Sequence, residues 1–137
     1  MYKKIILAFC IFGFTAVSLA ADKPPVEKIC VYYFHGSMRC PTCYKLEQYS
    51  KEAIEDNFKS ELASGRLEYR VVNIEQKGNE HFIHDYQLYT KALILSLVKG
   101  GRQVKSKNLT NIWQLVGNKY KFIEYVKEEL ANFLKEL

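Results

Sequence analysis

Cys40 and Cys43 stand three apart, with two residues between them, in the stretch Phe34-His35-Gly36-Ser37-Met38-Arg39-Cys40-Pro41-Thr42-Cys43, just after an apolar run and just before a helical pattern. Cysteines at this spacing can close a small disulfide ring at the first turn of a helix, where one side chain faces outward and the other packs inward. That geometry suits thiol–disulfide exchange, with Cys40 as the attacking nucleophile and Cys43 as the resolving thiol. The plainer reading is a static structural bridge. A helix N-terminus carries unpaired N–H groups and a positive partial charge, so it favours the thiolate of Cys40 over the thiol. Arg39, directly before it, is expected to push the same way.

Three further groups of residues could carry chemistry. Cys30 lies on an apolar run, where a free cysteine ordinarily acts as a small buried apolar residue. It could instead join Cys40 and Cys43 in a three-thiolate site for a soft metal or metalloid, if its strand position points towards the helix start. His81 and His84 stand three apart on a helical pattern and could share a metal only if a third ligand approached; without one they read as an exposed helix face. His35 is either a proton carrier for the cysteine pair or a loop residue.

The elements that position Cys40 and Cys43 belong to a single domain, since 137 residues with 48% hydrophobic content suffice for one core and not for two. Residues 1–20 have the three-part form of a secretory signal: Lys3 and Lys4, an apolar stretch from Ile5 to Val17, then Ser18-Leu19-Ala20 with small residues at 18 and 20. The apolar stretch is shorter than the roughly 20 residues a spanning helix needs, so cleavage after Ala20 is expected and no stable membrane insertion afterwards. Loss of Lys3 and Lys4 takes the formal charge from +5 to +3. That balance is too mild, and its basic residues too scattered, for a nucleic-acid partner. A periplasmic or secreted location follows, an oxidising setting in which a Cys-x-x-Cys is stably bridged or acts as a redox catalyst.

Residues 21–28, with Pro24 and Pro25, read as a linker, and 29–137 as the folded domain. Ile29 to Phe34 is a continuous run of strand formers, and Pro41 to about Leu62 repeats apolar residues at helical spacing, with Pro41 suited to the first helical position and Gly65 to the stop. Leu67 to Ile74 reads as a second strand parallel to the first, since a helix connects them. Asn79 is expected to cap a short helix reaching about Tyr89, with Phe82, Ile83, Tyr86 and Tyr89 on one face. Ala92 to Val98 and Arg102 to Lys107 form an antiparallel pair across Gly100-Gly101. Loose turns around Ile112, Trp113 and Leu115 precede a last helix capped by Asn118.

This order, β-α-β-α-β-β-α with a Cys-x-x-Cys between the first strand and first helix, resembles the thioredoxin-like superfamily from about Ile29 to Leu137. The resemblance implies an α/β thioredoxin-like fold, a central mixed four-stranded sheet flanked by helices. More narrowly, Arg39-Cys40-Pro41-Thr42-Cys43-Tyr44-Lys45-Leu46-Glu47, Thr90-Lys91 and Lys107-Asn108-Leu109 resemble the bacterial group labelled nitrophenyl compound nitroreductase subunit, ArsF family. No flavin or nicotinamide pattern accompanies them, and no cofactor is expected. The superfamily likeness implies exchange of disulfides with a protein or small-molecule thiol partner, the oligomeric state being left open. Arg39 and Pro41-Thr42 replace the tryptophan and Gly-Pro usual in thioredoxins, and Pro41 looks more like glutaredoxins. The family's cis-proline before the third strand is replaced by Thr90-Lys91, for which a trans peptide is expected because a non-proline cis bond costs about 3 kcal/mol. Phe34 stands where thioredoxin has a buried acid, so proton transfer to Cys43 requires water or His35. Two other functions fit the same residues: a carrier of a soft metal or trivalent arsenic on Cys40 and Cys43, and a non-catalytic interaction module with a static bridge.

Overall fold

The continuous apolar run after Glu27 becomes strand β1 (Lys28–His35), and it is buried on both faces because neighbours lie on either side of it and helices above and below. The structure, a computed structural model, describes residues 27–137. The expected signal segment, and residues 21–26 of the expected linker, lie outside the described residues; Lys28 belongs to β1 instead of the linker.

Helix α1 (Pro41–Asn57) leaves β1 through residues 36–40. After α2 (Lys59–Ser64), strand β2 (Leu67–Asn73) pairs parallel to β1 with Ile29 opposite Leu67 and Phe34 opposite Val72. A single turn of helix, α3 (His81–Asp85), leads to β3 (Ala92–Lys99), which runs antiparallel to β1 with Tyr33 opposite Leu93. Gly100 and Gly101 both have positive φ, 59° and 75°, which a two-residue hairpin turn of this hand requires, and β4 (Arg102–Asn108) returns along β3. Helices α4 (Ile112–Leu115) and α5 (Lys119–Leu134) complete the chain, with Asn118 Oδ1 accepting from the Lys121 N–H as the expected cap. The sheet order β2-β1-β3-β4, with helices on both faces and the Cys-x-x-Cys between β1 and α1, is the thioredoxin-like arrangement. Among the described residues no helix is long and apolar enough to cross a membrane.

Strand alternation divides the core in two. Ile29, Val31 and Tyr33 face the side covered by α1 and α5, where Leu46, Ile54, Phe122, Val126 and Leu130 are fully buried. Each such aliphatic side chain contributes about 1.5–3 kcal/mol by leaving water. Cys30, Tyr32 and Phe34 face the other side, covered by Phe82 and Tyr86 from α3 and its end and by Leu88.

Two expected helices end early. The first helix was expected to continue to about Leu62; at Phe58 the backbone turns to φ −127°, ψ 40°, and α2 begins afresh. Phe58 is only 8% exposed, so the break carries its ring into the core while its N–H keeps a bond to the Ile54 carbonyl at 3.0 Å. Asn79 does not cap α3. Its side chain donates to the Asn73 carbonyl at 2.9 Å, Glu80 stands at the cap with helical backbone angles, and no side chain caps the helix. The helix stops well before Tyr89 because Gln87 takes a φ of 51°, which cannot continue a right-handed helix; Tyr89 is 96% exposed, off the Phe82 and Tyr86 face.

Candidate functional site

The site is built where β1 ends and α1 begins. Cys40 is the N-cap residue, extended at φ −101°, ψ 166°, and Pro41 takes the first helical position. The Cys40 sulfur accepts the Cys43 N–H at 3.3 Å, so the thiol does the capping work usually given to a serine or aspartate. Cys40 is exposed and Cys43 is 1% exposed, as the spacing demands, and the two sulfurs lie 2.6 Å apart as free cysteines. The Cys40 thiol is pushed below the ordinary cysteine range, first by its hydrogen bond with the Cys43 side chain and then by the Cys43 backbone N–H, with desolvation opposing and the Thr42 backbone N–H adding to the fall.

The Arg39 guanidinium, expected to favour the Cys40 thiolate, is engaged with other groups. It donates through Nη2 to Glu47 Oε2 and lies over the Tyr44 ring, 4.3 Å from the centroid. Glu47 enters the sequence reading only as the end of a stretch of resemblance, and its pairing with Arg39 was missed. The available signal was its position four residues after Cys43, one turn further along the same face of α1. Tyr33 was overlooked too: its buried hydroxyl donates to the Cys43 carbonyl at 2.8 Å, tying the first turn of α1 to the sheet. Burial, and then the neighbouring Cys43, push the Tyr33 phenol well above its usual range.

The loop before Cys40 is held from the other side by residues after β2. Glu75 accepts from the Ser37 N–H at 2.9 Å, Asn73 Nδ2 donates to Ser37 Oγ at 3.1 Å, and the Ile74 N–H reaches the His35 carbonyl at 2.9 Å. A Cβ at Gly36 would come within 2.6 Å of Glu75 Oε1, so a larger residue there would push that carboxylate away from Ser37. His35 Nδ1 is 2.9 Å from the Gly36 carbonyl oxygen, and the ring has no hydrogen bond to either sulfur.

Cys30 does not join the pair. It sits near the start of β1, on the face opposite α1, 2% exposed, with its thiol towards Glu68 Oε2 at 3.8 Å. Burial raises its titration above that of an ordinary thiol. The three-thiolate arrangement is therefore excluded by strand alternation. His81 and His84 are exposed, with His81 Nδ1 3.0 Å from the Gly78 carbonyl oxygen, and no group of three or more His, Cys, Asp and Glu suited to a metal ion occurs among the described residues. No peptide bond among the described residues is cis, so Thr90-Lys91 is trans. Beside Gly36, a 170 Å³ cleft is lined by Glu75, Leu88, Tyr89, Thr90 and Lys91. Met38, 86% exposed, and Tyr44, 56% exposed, flank the cysteines in sequence.

No family model and no curated protein matches the sequence. Among solved structures, a malarial protein overlaps at 15% identity and a TM-score of 0.39, covering 67% of this chain and 97% of that one. Fasciola hepatica thioredoxin overlaps at 16% identity and 0.38, covering 67% and 81%, and Chlamydomonas reinhardtii thioredoxin f2 at 12% and 0.37, covering 70% and 82%. With TM-scores this low the overlaps add nothing to the sheet order and helix placement, which define the fold by themselves.

Proposed function

We propose that this protein is an exported thiol–disulfide oxidoreductase. The observation that carries the reading is the exposed Cys40 sulfur at the start of α1, its thiol acidified, with the buried Cys43 sulfur 2.6 Å behind it. In the reducing direction, the Cys40 thiolate attacks one sulfur of a partner's disulfide. A Cys40–partner bond forms, the partner's S–S bond breaks, and the other partner sulfur leaves as a thiolate. Cys43 then loses its proton and attacks the Cys40 sulfur. The Cys40–Cys43 bond forms, the mixed disulfide breaks, and the partner departs with two electrons. The same steps reversed oxidise a dithiol partner, the electrons then residing on Cys40 and Cys43. Export rests on the Lys3-Lys4, apolar and Ala20 pattern and predicts a mature chain beginning at Ala21. The ArsF-family likeness rests on the sequence stretches alone and adds no reaction of its own.

Equilibration of the mature protein with glutathione buffers, read by mass after thiol labelling, tests this. A reduction potential between about −270 and −120 mV is the expected result. A value well below about −300 mV identifies a structural bridge and ends the enzyme reading. Replacement Cys43→Ala removes the resolving thiol, so mixed disulfides with partners should accumulate on Cys40.

A further inference from the structure

A cation directly before a nucleophilic cysteine would be expected to stabilise its thiolate, yet the Arg39 guanidinium is turned to Glu47 and the Tyr44 ring. Glu47 reaches it by running back along α1, as helical side chains lean towards the N-terminus, so that its carboxylate meets a residue preceding the helix. Both side chains are largely withdrawn from solvent, 16% exposed for Arg39 and 28% for Glu47. Arg39 Nε is buried without a partner among the described residues, and the guanidinium is held by its ion pair with Glu47 beside the Tyr33 hydroxyl. The stacking on Tyr44 is the weaker restraint, since that ring is 56% exposed.

We propose that Glu47 is a positioning residue that keeps the Arg39 charge off Cys40 and so sets the reactivity and reduction potential of the Cys40–Cys43 pair. This rests on the exchange reading of that pair. Freed from Glu47, the guanidinium is left with the Cys40 thiolate, one residue along the chain, as an anion it can turn to. Stabilising that thiolate stabilises the reduced form and makes the couple more oxidising, and retaining Glu47 holds it at the more reducing setting. The other titratable groups around Glu47 are Tyr33 on β1, Tyr69 on β2 and, on α1, Tyr44 under the guanidinium and Lys51 one turn on, whose ammonium is turned to Glu55 at 4.0 Å.

The test is the pH profile of Cys40 alkylation by iodoacetamide in the reduced full-length protein, read on the Cys40 peptide by mass spectrometry. Glu47→Gln should move the midpoint down by about one pH unit, the smaller end of what a nearby opposite charge does, and raise the reduction potential by about 30 mV per tenfold change in the redox equilibrium. Glu47→Gln combined with Arg39→Met should return the midpoint to the wild-type value. Arg39→Met alone should leave it unmoved, and this variant carries the test if Glu47→Gln fails to fold. An unmoved midpoint in Glu47→Gln, a shift that persists in the double variant, or a rise of a full unit in Arg39→Met each overturns the proposal. A potential well below −300 mV in the wild type would end the exchange reading while leaving these titrations interpretable.

Discussion

Replacing Tyr33 with Phe removes one oxygen atom and one hydrogen bond, the 2.8 Å bond to the Cys43 carbonyl, from a position with no exposed surface. The cost follows from what each partner is left with. The phenylalanine has no polar group to satisfy. The Cys43 carbonyl keeps its helical partner, the N–H four residues on, so neither group is left buried and unpaired. A neutral buried hydrogen bond lost without an orphan costs about 1 kcal/mol, and for a domain of this size that lowers the melting temperature by about 4 °C. The Tyr33 bond goes to the backbone of Cys43 and not to its sulfur. It is therefore present to the same degree whether the cysteines are thiols or a disulfide, and the loss should be equal in the two forms. By linkage, equal losses leave the reduction potential unmoved; a difference of 1.4 kcal/mol between the forms would appear as about 30 mV. The assay is thermal unfolding of reduced and oxidised protein, together with the potential of the variant. A fall below 1 °C in both forms would refute the assignment of this bond as a tie between helix and sheet. A fall confined to one form, with a displaced potential, would refute the claim that the hydroxyl serves the backbone alone.

Because the Cys40 thiol is depressed in the folded protein, the unfolded chain binds more protons between the folded and the ordinary cysteine values. The reduced form should therefore gain stability as pH rises through that window and lose it as pH falls through the folded value, whereas the oxidised form should show no such trend in parallel melts. Asn118→Ala removes the cap of α5 and should cost about 1 kcal/mol by denaturant unfolding, with the alkylation rate of Cys40 unchanged. Phe34→Asp places a carboxylate in the ring cluster formed with Tyr32, Phe82 and Tyr86, with no partner there. It should destabilise by at least about 3 kcal/mol, from the lost aromatic alone, and it should not speed resolution by Cys43, as a stopped-flow assay of mixed-disulfide release would show.

How far the sequence disclosed this arrangement depends on whether the signal was local. The run Ile29 to Phe34 is apolar at every position because both faces of β1 are covered, and Gly100-Gly101 announces its turn because two consecutive positive φ values favour glycine. Asn118 likewise declares the start of α5. The break at Phe58 has no such marker: the backbone turns at φ −127°, ψ 40° while its N–H and C=O keep their helical bonds, and what accompanies the turn is the burial of the Phe58 ring, a tertiary event. The end of α3 is concealed in the same way, because the positive φ falls on Gln87, a residue that does not advertise one. At the site, the cysteine pair and its position were legible, since spacing and element order determine them. The destination of the Arg39 charge was not, because adjacency in sequence pointed to Cys40 and only the path of the Glu47 side chain along α1 redirects it.

The same alternation that removes Cys30 from the site explains why Phe34 does not deprive the pair of polar support. Along β1 the even-numbered side chains face α3 and the odd-numbered ones face α1, so position 34 opens into an aromatic cluster where Phe34 stacks on Tyr32 at 5.3 Å. A carboxylate at 34 would be desolvated and unpartnered there. Polar groups that bear on Cys43 must come from position 33 and from α1 itself, and this is where the chain has them: the Tyr33 hydroxyl on the Cys43 carbonyl, and Glu47 one turn beyond Cys43 with Arg39 closing over it. The resemblance to thioredoxin directed attention to the wrong face of the strand. In this protein that face packs α3, and it is Tyr33, on the face under α1, whose hydroxyl ties the backbone of Cys43 to the sheet.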